Sequence, residues 1–241
     1  VIETLSLLGK SSSDELFKVL KSDEESVTSK ISAVSAMNTI QIAGRRDELI
    51  DEAIRNLKNY YQNIYSIYLL NTVERHRAVE LLIDSLRDEN AQILSLVLHI
   101  LGALTDHYSF QIIEKKLKSG NDRVHANAVE AIDSIAEKKV SRLLIPLLDG
   151  TEFDDCMELA EEEWDFDFNK KPEDVISAKL QGDDNWHKAC ALFSVGELAD
   201  SNYLNVVKES LTSQNKYVQE AAREALSKIQ NDQQIADSHI Q

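Results

Sequence analysis

Apolar residues recur along this chain with the 3.6-residue period of helices and, above it, with a longer period of about 31 residues. A leucine anchor followed by apolar positions 7, 11 and 15 residues later describes most of it. Leu20 leads to Val27, Ile31 and Ser35; Leu86 to Ile93, Val97 and Leu101; Leu117 to Val124, Ala128 and Ile132; Leu180 to His187, Ala191 and Val195; Leu211 to Val218, Ala222 and Leu226. The last three positions of each set are i, i+4 and i+8, one face of a single helix. Alanine at the middle position in three sets allows close helix–helix approach. Weaker copies start at Leu57, with Ile64, Tyr68 and Thr72, and at Leu148, with Asp155, Leu159 and Glu163. The seven anchors are 37, 29, 31, 31, 32 and 31 residues apart.

Each set predicts a helical hairpin: a first helix ends at the anchor, a polar turn follows, and a second helix carries the apolar face. Ser119-Gly120-Asn121-Asp122, Asp149-Gly150-Thr151 and Gly182-Asp183-Asp184-Asn185 supply such turns. Gly is expected to end the first helix in a left-handed conformation, and Asp or Asn to cap the second. A hairpin of this size cannot bury both helices alone, so neighbours must stack. The prediction is an all-α fold, an α-α superhelix of about seven helical hairpins forming one repeat domain over residues 1–241, with a compact bundle as the structural alternative. The most apolar run, Ile93–Leu104, reads as a buried helix, and no stretch reaches the roughly 20 apolar residues needed to span a bilayer.

Composition agrees with helices. Only 7 Gly and 2 Pro occur, too few for the tight turns of an all-β fold, and 43% apolar residues suffice for a core. The net charge of −16 argues against non-specific nucleic-acid binding, which needs Lys and Arg to displace phosphate counterions. Cys156 and Cys190 form no metal or disulfide pattern, so two ordinary thiols in a reduced, cytoplasmic setting are expected. The first residues show no basic region followed by an apolar one, so no signal peptide is expected, and a first residue of Val reads as a piece of a longer polypeptide.

The leucine anchor, the Asp/Asn turn, and Val followed by Ala four residues on resemble the HEAT-like, armadillo-like repeat families over nearly the whole chain. Three stretches carry a narrower likeness: Arg123 to Asp133, Arg142 to Leu148, and Asn185 to Leu198 with its Trp186-His187-Lys188-Ala189-Cys190-Ala191-Leu192 run. These are similar to the soluble HEAT module fused to bacterial ATP/ADP-antiporter-like membrane transporters. The resemblance implies a non-catalytic protein-interaction or regulatory scaffold at the cytoplasmic face of a membrane. It also implies a tether through an upstream region, and it carries over no catalytic residues.

Enzymes exist on HEAT-like scaffolds, so their signatures matter. His76, His99, His107, His125, His187 and His239 include no His-Glu dipeptide and no HExxH, and lone histidines are expected to cap or pack, with His187, at an apolar +7 position, expected to be partly buried. Asp165-Phe166-Asp167-Phe168-Asn169 opens like a calcium loop, but Lys170 stands where Gly is required and Ile176 where Glu is. No phosphate-binding glycine loop or nucleophile elbow occurs. The expectation is no catalytic residue, no metal and no cofactor. A bilin lyase-like or DNA glycosylase-like enzyme is the alternative.

Two features are candidates for partner binding. Arg45, Arg46, Arg75, Arg77, Lys138, Lys139 and Arg142 follow the second helices of their repeats and form either solvated caps of helix C-termini or a docking rim for an anionic partner. Segment 149–174 is an acidic–aromatic insertion with 12 acidic and 2 basic residues. In Glu163-Trp164-Asp165-Phe166-Asp167-Phe168 acid and aromatic alternate; extended, the aromatics share one side. Trp164, Phe166 and Phe168 either fold back onto the repeats or dock into a basic groove.

Overall fold

The computed structural model describes residues 13–22, 24–39, 45–105 and 107–238, with backbone only at 39, 107–109, 111 and 236–238. The described residues form twelve α-helices and no strand. The helices are α1 (Ser13–Lys21), α2 (Val27–Thr39), α3 (Arg46–Asn71), α4 (His76–Leu104), α5 (His107–Leu117), α6 (Asp122–Ile135), α7 (Lys138–Asp149), α8 (Phe153–Glu163), α9 (Pro172–Gln181), α10 (Asn185–Leu198), α11 (Leu204–Ser210) and α12 (Lys216–Ser238). No described helix is long and apolar enough to cross a membrane.

Helices break where the sequence carries a stop signal. Five of the seven anchors, Leu20, Leu117, Leu148, Leu180 and Leu211, lie at the end of one helix with the next beginning a few residues on. Asn121 accepts from the Val124 amide at 3.1 Å, Asp184 from His187 at 2.7 Å and Asn215 from Tyr217 at 3.0 Å, each capping the second helix. After Leu57 and Leu86 no such turn exists. α3 and α4 run straight through them, because Lys58-Asn59-Tyr60-Tyr61 and Arg87-Asp88-Glu89-Asn90 contain neither Gly nor Pro to end a helix. The left-handed glycine is found at Gly150 (φ +75°), whereas Gly182 (φ −67°) is extended and Gly120 does not have positive φ.

The described residues group into two compact units, Val1–Gln62 with Asn90–Phe166 and Asn63–Glu89 with Asp167–Gln241, and α3 and α4 contribute to both. In the first unit α1 packs on α2, α5 on α6, α6 on α7 and α7 on α8. Its core includes Leu16, Phe17, Leu20, Ala128, Ile132, Val140, Leu143 and Leu144. The run from Ile93 is helical, and Ile93, Leu96, Val97, Leu98, Ile100 and Leu101 are buried. The weak repeats fail in detail: Tyr68, Thr72 and Asp155 are exposed.

In the second unit α9 packs on α10, α11 on α12, and α10 on α12. α10 and α12, whose apolar positions His187, Ala191 and Val195 and Val218, Ala222 and Leu226 lie 31 residues apart in sequence, are thus in contact. Lys228 on α12 bonds Glu197 on α10, 31 residues earlier, and sits 5.0 Å over the Phe193 ring. His187, Ala191, Val195, Val218 and Ala222 are all buried there. α10 ends on Ala199, the one described non-glycine residue with positive φ (54°), whose amide bonds Gly196 O while Asp200 N bonds Val195 O. A left-handed Ala costs about 1 kcal/mol that Gly does not. Ala199→Gly is therefore expected to raise the melting temperature by roughly 2–4 °C in a thermal scan.

Candidate functional site

The acidic segment is part helix and part extended chain. α8 covers its first half, with Cys156, Met157 and Ala160 buried and its carboxylates outward. Trp164 itself is extended (φ −137°, ψ 153°), and the Phe166 amide then bonds the Trp164 carbonyl at 3.0 Å, a tight turn about Asp165. Trp164, Phe166 and Phe168 are half-buried while Asp165 and Asp167 are exposed. In the first unit the Trp164 ring lies 5.6 Å from Tyr61 and 6.0 Å from Phe166. In the second, Phe168 meets Tyr65 edge-on at 5.2 Å, and its carbonyl accepts the Tyr65 hydroxyl at 2.7 Å. The rings fold back onto α3. Asp167 accepts from the Asn169 amide at 3.0 Å, a local turn where the sequence resembles a calcium loop.

The basic residues follow α2, α3 and α6 and stand at the start of the helix that comes next. Arg45 precedes α3 and Arg46 opens it, Arg75 precedes α4 and Arg77 lies in its first turn, and Lys138, Lys139 and Arg142 begin α7. A cation is disfavoured at a helix N-terminus, and most of these are neutralised by carboxylates. Arg45 bonds Asp14 at 2.8 Å and Glu48 at 2.6 Å, and stacks 3.9 Å over Phe17. Arg45 and Lys21 together hold the Glu48 carboxyl down to about 2. Arg46 bonds Glu137 and the Leu104 carbonyl, so it alone of this group caps a helix C-terminus. Arg142 pairs with Glu162 at 2.7 Å and Lys139 with Glu163 at 3.3 Å. The acidic segment and the basic edge thus meet within the first unit. Arg75, Arg77 and Lys138 are exposed, and no ion pair to them is found among the described residues.

His76 bonds Asn71 Oδ1 at 2.8 Å, His99 bonds Ser95 O at 2.7 Å, and buried His187 lies 3.6 Å from both Glu89 and Asp184. The side chain of His107 and the whole of His239 lie outside the described residues. No group of three or more His, Cys, Asp or Glu able to hold a metal occurs among the described residues. Both cysteines are buried and free, and burial pushes their thiols up, Cys190 to about 11. A thiol that stays protonated when folded but ionises near pH 8.5 when unfolded stabilises below pH 8.5, and that contribution disappears as the pH rises through about 11. Cys190→Ala is expected to flatten the decline of stability over this alkaline range, as followed by denaturant midpoints at each pH.

Two surface features were not singled out from the sequence. Trp186 and Tyr217 are 51% and 67% exposed, the two most exposed aromatic rings of the second unit. Each stands six residues after its anchor, in the first turn of α10 and of α12, so the repeat register itself would have found them. In the first unit an open cleft of about 520 Å³ is lined by Asp122, His125, Val129, Glu130 and Asp133 of α6 and by Ile145 and Asp149 of α7. No family model and no curated protein sequence matches this chain.

Proposed function

We propose that the chain is a HEAT-like α-solenoid segment that acts as a non-catalytic protein-interaction module. The observation that carries this reading is the packing of α10 on α12 in repeat register, with Trp186 and Tyr217 exposed at equivalent positions. A packing role does not account for two large rings left in water at the same place in successive repeats, and aromatic side chains dominate the energetics of protein interfaces. Stacked second helices also form the extended surface that repeat proteins use for binding. The exposed Arg75, Arg77 and Lys138 are cations available to an anionic partner. The likeness to a transporter-fused module adds a tether to a membrane protein, and reading the coding sequence upstream for transmembrane segments tests it.

The interaction role is tested by chemical cross-linking and capture from the native cell extract, comparing the wild type with Trp186→Ala/Tyr217→Ala. Both rings are exposed, so stability should change by no more than about 0.5 kcal/mol per site. A stoichiometric partner held by the wild type and lost by the folded variant is expected. Equal capture by both proteins, or no stoichiometric partner, would overturn the reading.

A further inference from the structure

A second cleft, of about 400 Å³, lies wholly in the second unit. Val73, Ile176 and Leu198 supply its apolar lining, together with the Tyr203 ring. The Tyr203 hydroxyl donates to the Glu173 carbonyl at 3.2 Å, which fixes the ring in place. Glu173 and Asp200 stand at the edge; among the described residues neither carboxylate has an ion-pair partner, and Asp200 only accepts the Asn202 amide. Burial pushes the Tyr203 phenol up against the opposing hydrogen bond from Ser177, and the nearby carboxylates of Asp200, Glu173 and Asp174 act in the same direction as burial. The last turn of α10 also borders the cleft, and the C-terminal end of a helix carries partial negative charge.

We propose that this cleft binds a peptide segment of a partner protein that presents a lysine or arginine beside an aliphatic side chain. The apolar lining takes the aliphatic group, Glu173 and Asp200 take the cation, and the Tyr203 ring offers a face to it. A cleft of this volume lies within the range of sites that hold a few side chains. The inference rests on the interaction reading only in taking a peptide as the occupant, and it does not use Trp186 or Tyr217.

The probe is a short acetylated and amidated peptide of alternating leucine and lysine, titrated into isotopically labelled protein at low salt and followed by amide correlation spectra. Its glutamate counterpart is the control. Expected are shifts centred on the amides of Val73, Ile176 and Ala199–Tyr203, at least tenfold weaker binding to Glu173→Gln/Asp200→Asn, several-fold weaker binding to Val73→Ser, and no binding of the glutamate peptide. Trp186→Ala/Tyr217→Ala should bind the peptide as the wild type does, so loss of the partner surface and loss of this cleft are separable. Shifts centred on the acidic helix α8 instead, or equal binding by the charge-neutralised variant, would overturn the proposal. The spectra of the unmodified protein decide the location even where a variant is poorly folded.

Discussion

Gly196→Val lowers the melting temperature by roughly 6–12 °C, equivalent to about 3 kcal/mol in a chain of this size. A Cβ at Gly196 would lie 2.7 Å from the Cα of Ala225, 3.1 Å from its Cβ and 3.4 Å from its amide nitrogen. A flexible side chain could step aside, but a backbone atom cannot, so α10 and α12 must separate. The two helices are packed together, Ala191 and Val195 of α10 and Ala222 and Ala225 of α12 are each exposed by 1% or less, and small side chains cannot refill a widened gap. Gly196→Ala should cost less, because alanine regains about 1 kcal/mol of helix propensity. Adding Ala225→Gly to either variant should rescue little, since it removes the 3.1 Å contact and leaves the 2.7 Å one. A melting temperature for Gly196→Val within experimental error of the wild type would show that the two helices do not meet this closely.

Tyr61→Ala is expected to cost about 4 kcal/mol and Tyr61→Phe about 1–2 kcal/mol, measured by urea unfolding. The Tyr61 side chain is fully buried, and its hydroxyl donates to the Leu143 carbonyl of α7 at 2.9 Å. Pro146 lacks the amide needed to continue the α7 ladder, so the tyrosine bonds that helix close to its weak point. Removing the whole ring also removes the partner of Trp164, and paired rings are worth about 0.5–1.5 kcal/mol beyond area burial. The fluorescence of Trp164 should therefore shift to the red in Tyr61→Ala and stay in place in Tyr61→Phe. Burial pushes the Tyr61 phenol well above the ordinary tyrosine range. The unfolded chain ionises first as the pH rises past about 10, so Tyr61 adds to the alkaline loss of stability, and Tyr61→Phe should lessen it.

How much of this was legible follows from where the information resides. The Asn121, Asp184 and Asn215 caps are local: the capping side chain and the amide it serves lie within three residues, so spacing alone reveals them. The long helices α3 and α4 were not legible from the repeat, because a period in leucines marks buried positions and says nothing about whether the backbone breaks between them. The absence of glycine and proline after Leu57 and Leu86 was the better signal. The basic residues do follow the helices that end at Thr39, Asn71 and Ile135; what the anchors did not show is that the same residues stand at the start of the next helix, so that most of them do not cap the helix before. The fold-back of Trp164, Phe166 and Phe168 was one of two readings, and Tyr61 and Tyr65, about a hundred residues earlier, decided it.

The sequence by itself determined that the chain is helical, where five of its hairpin turns fall, that the repeat positions Ala128, Ala191, Ala222 and His187 face inward, and that a single segment carries most of its net negative charge. These are properties of a residue and its near neighbours, and helical periodicity projects them directly onto faces. Only the tertiary structure decided which charges are neutralised, that Gly196 admits Ala225, and that Glu173 and Asp200 remain unpaired at the edge of a cleft. Those depend on which side chains from distant segments arrive at the same point, and a pattern of polar and apolar positions specifies that a face is covered without naming what covers it.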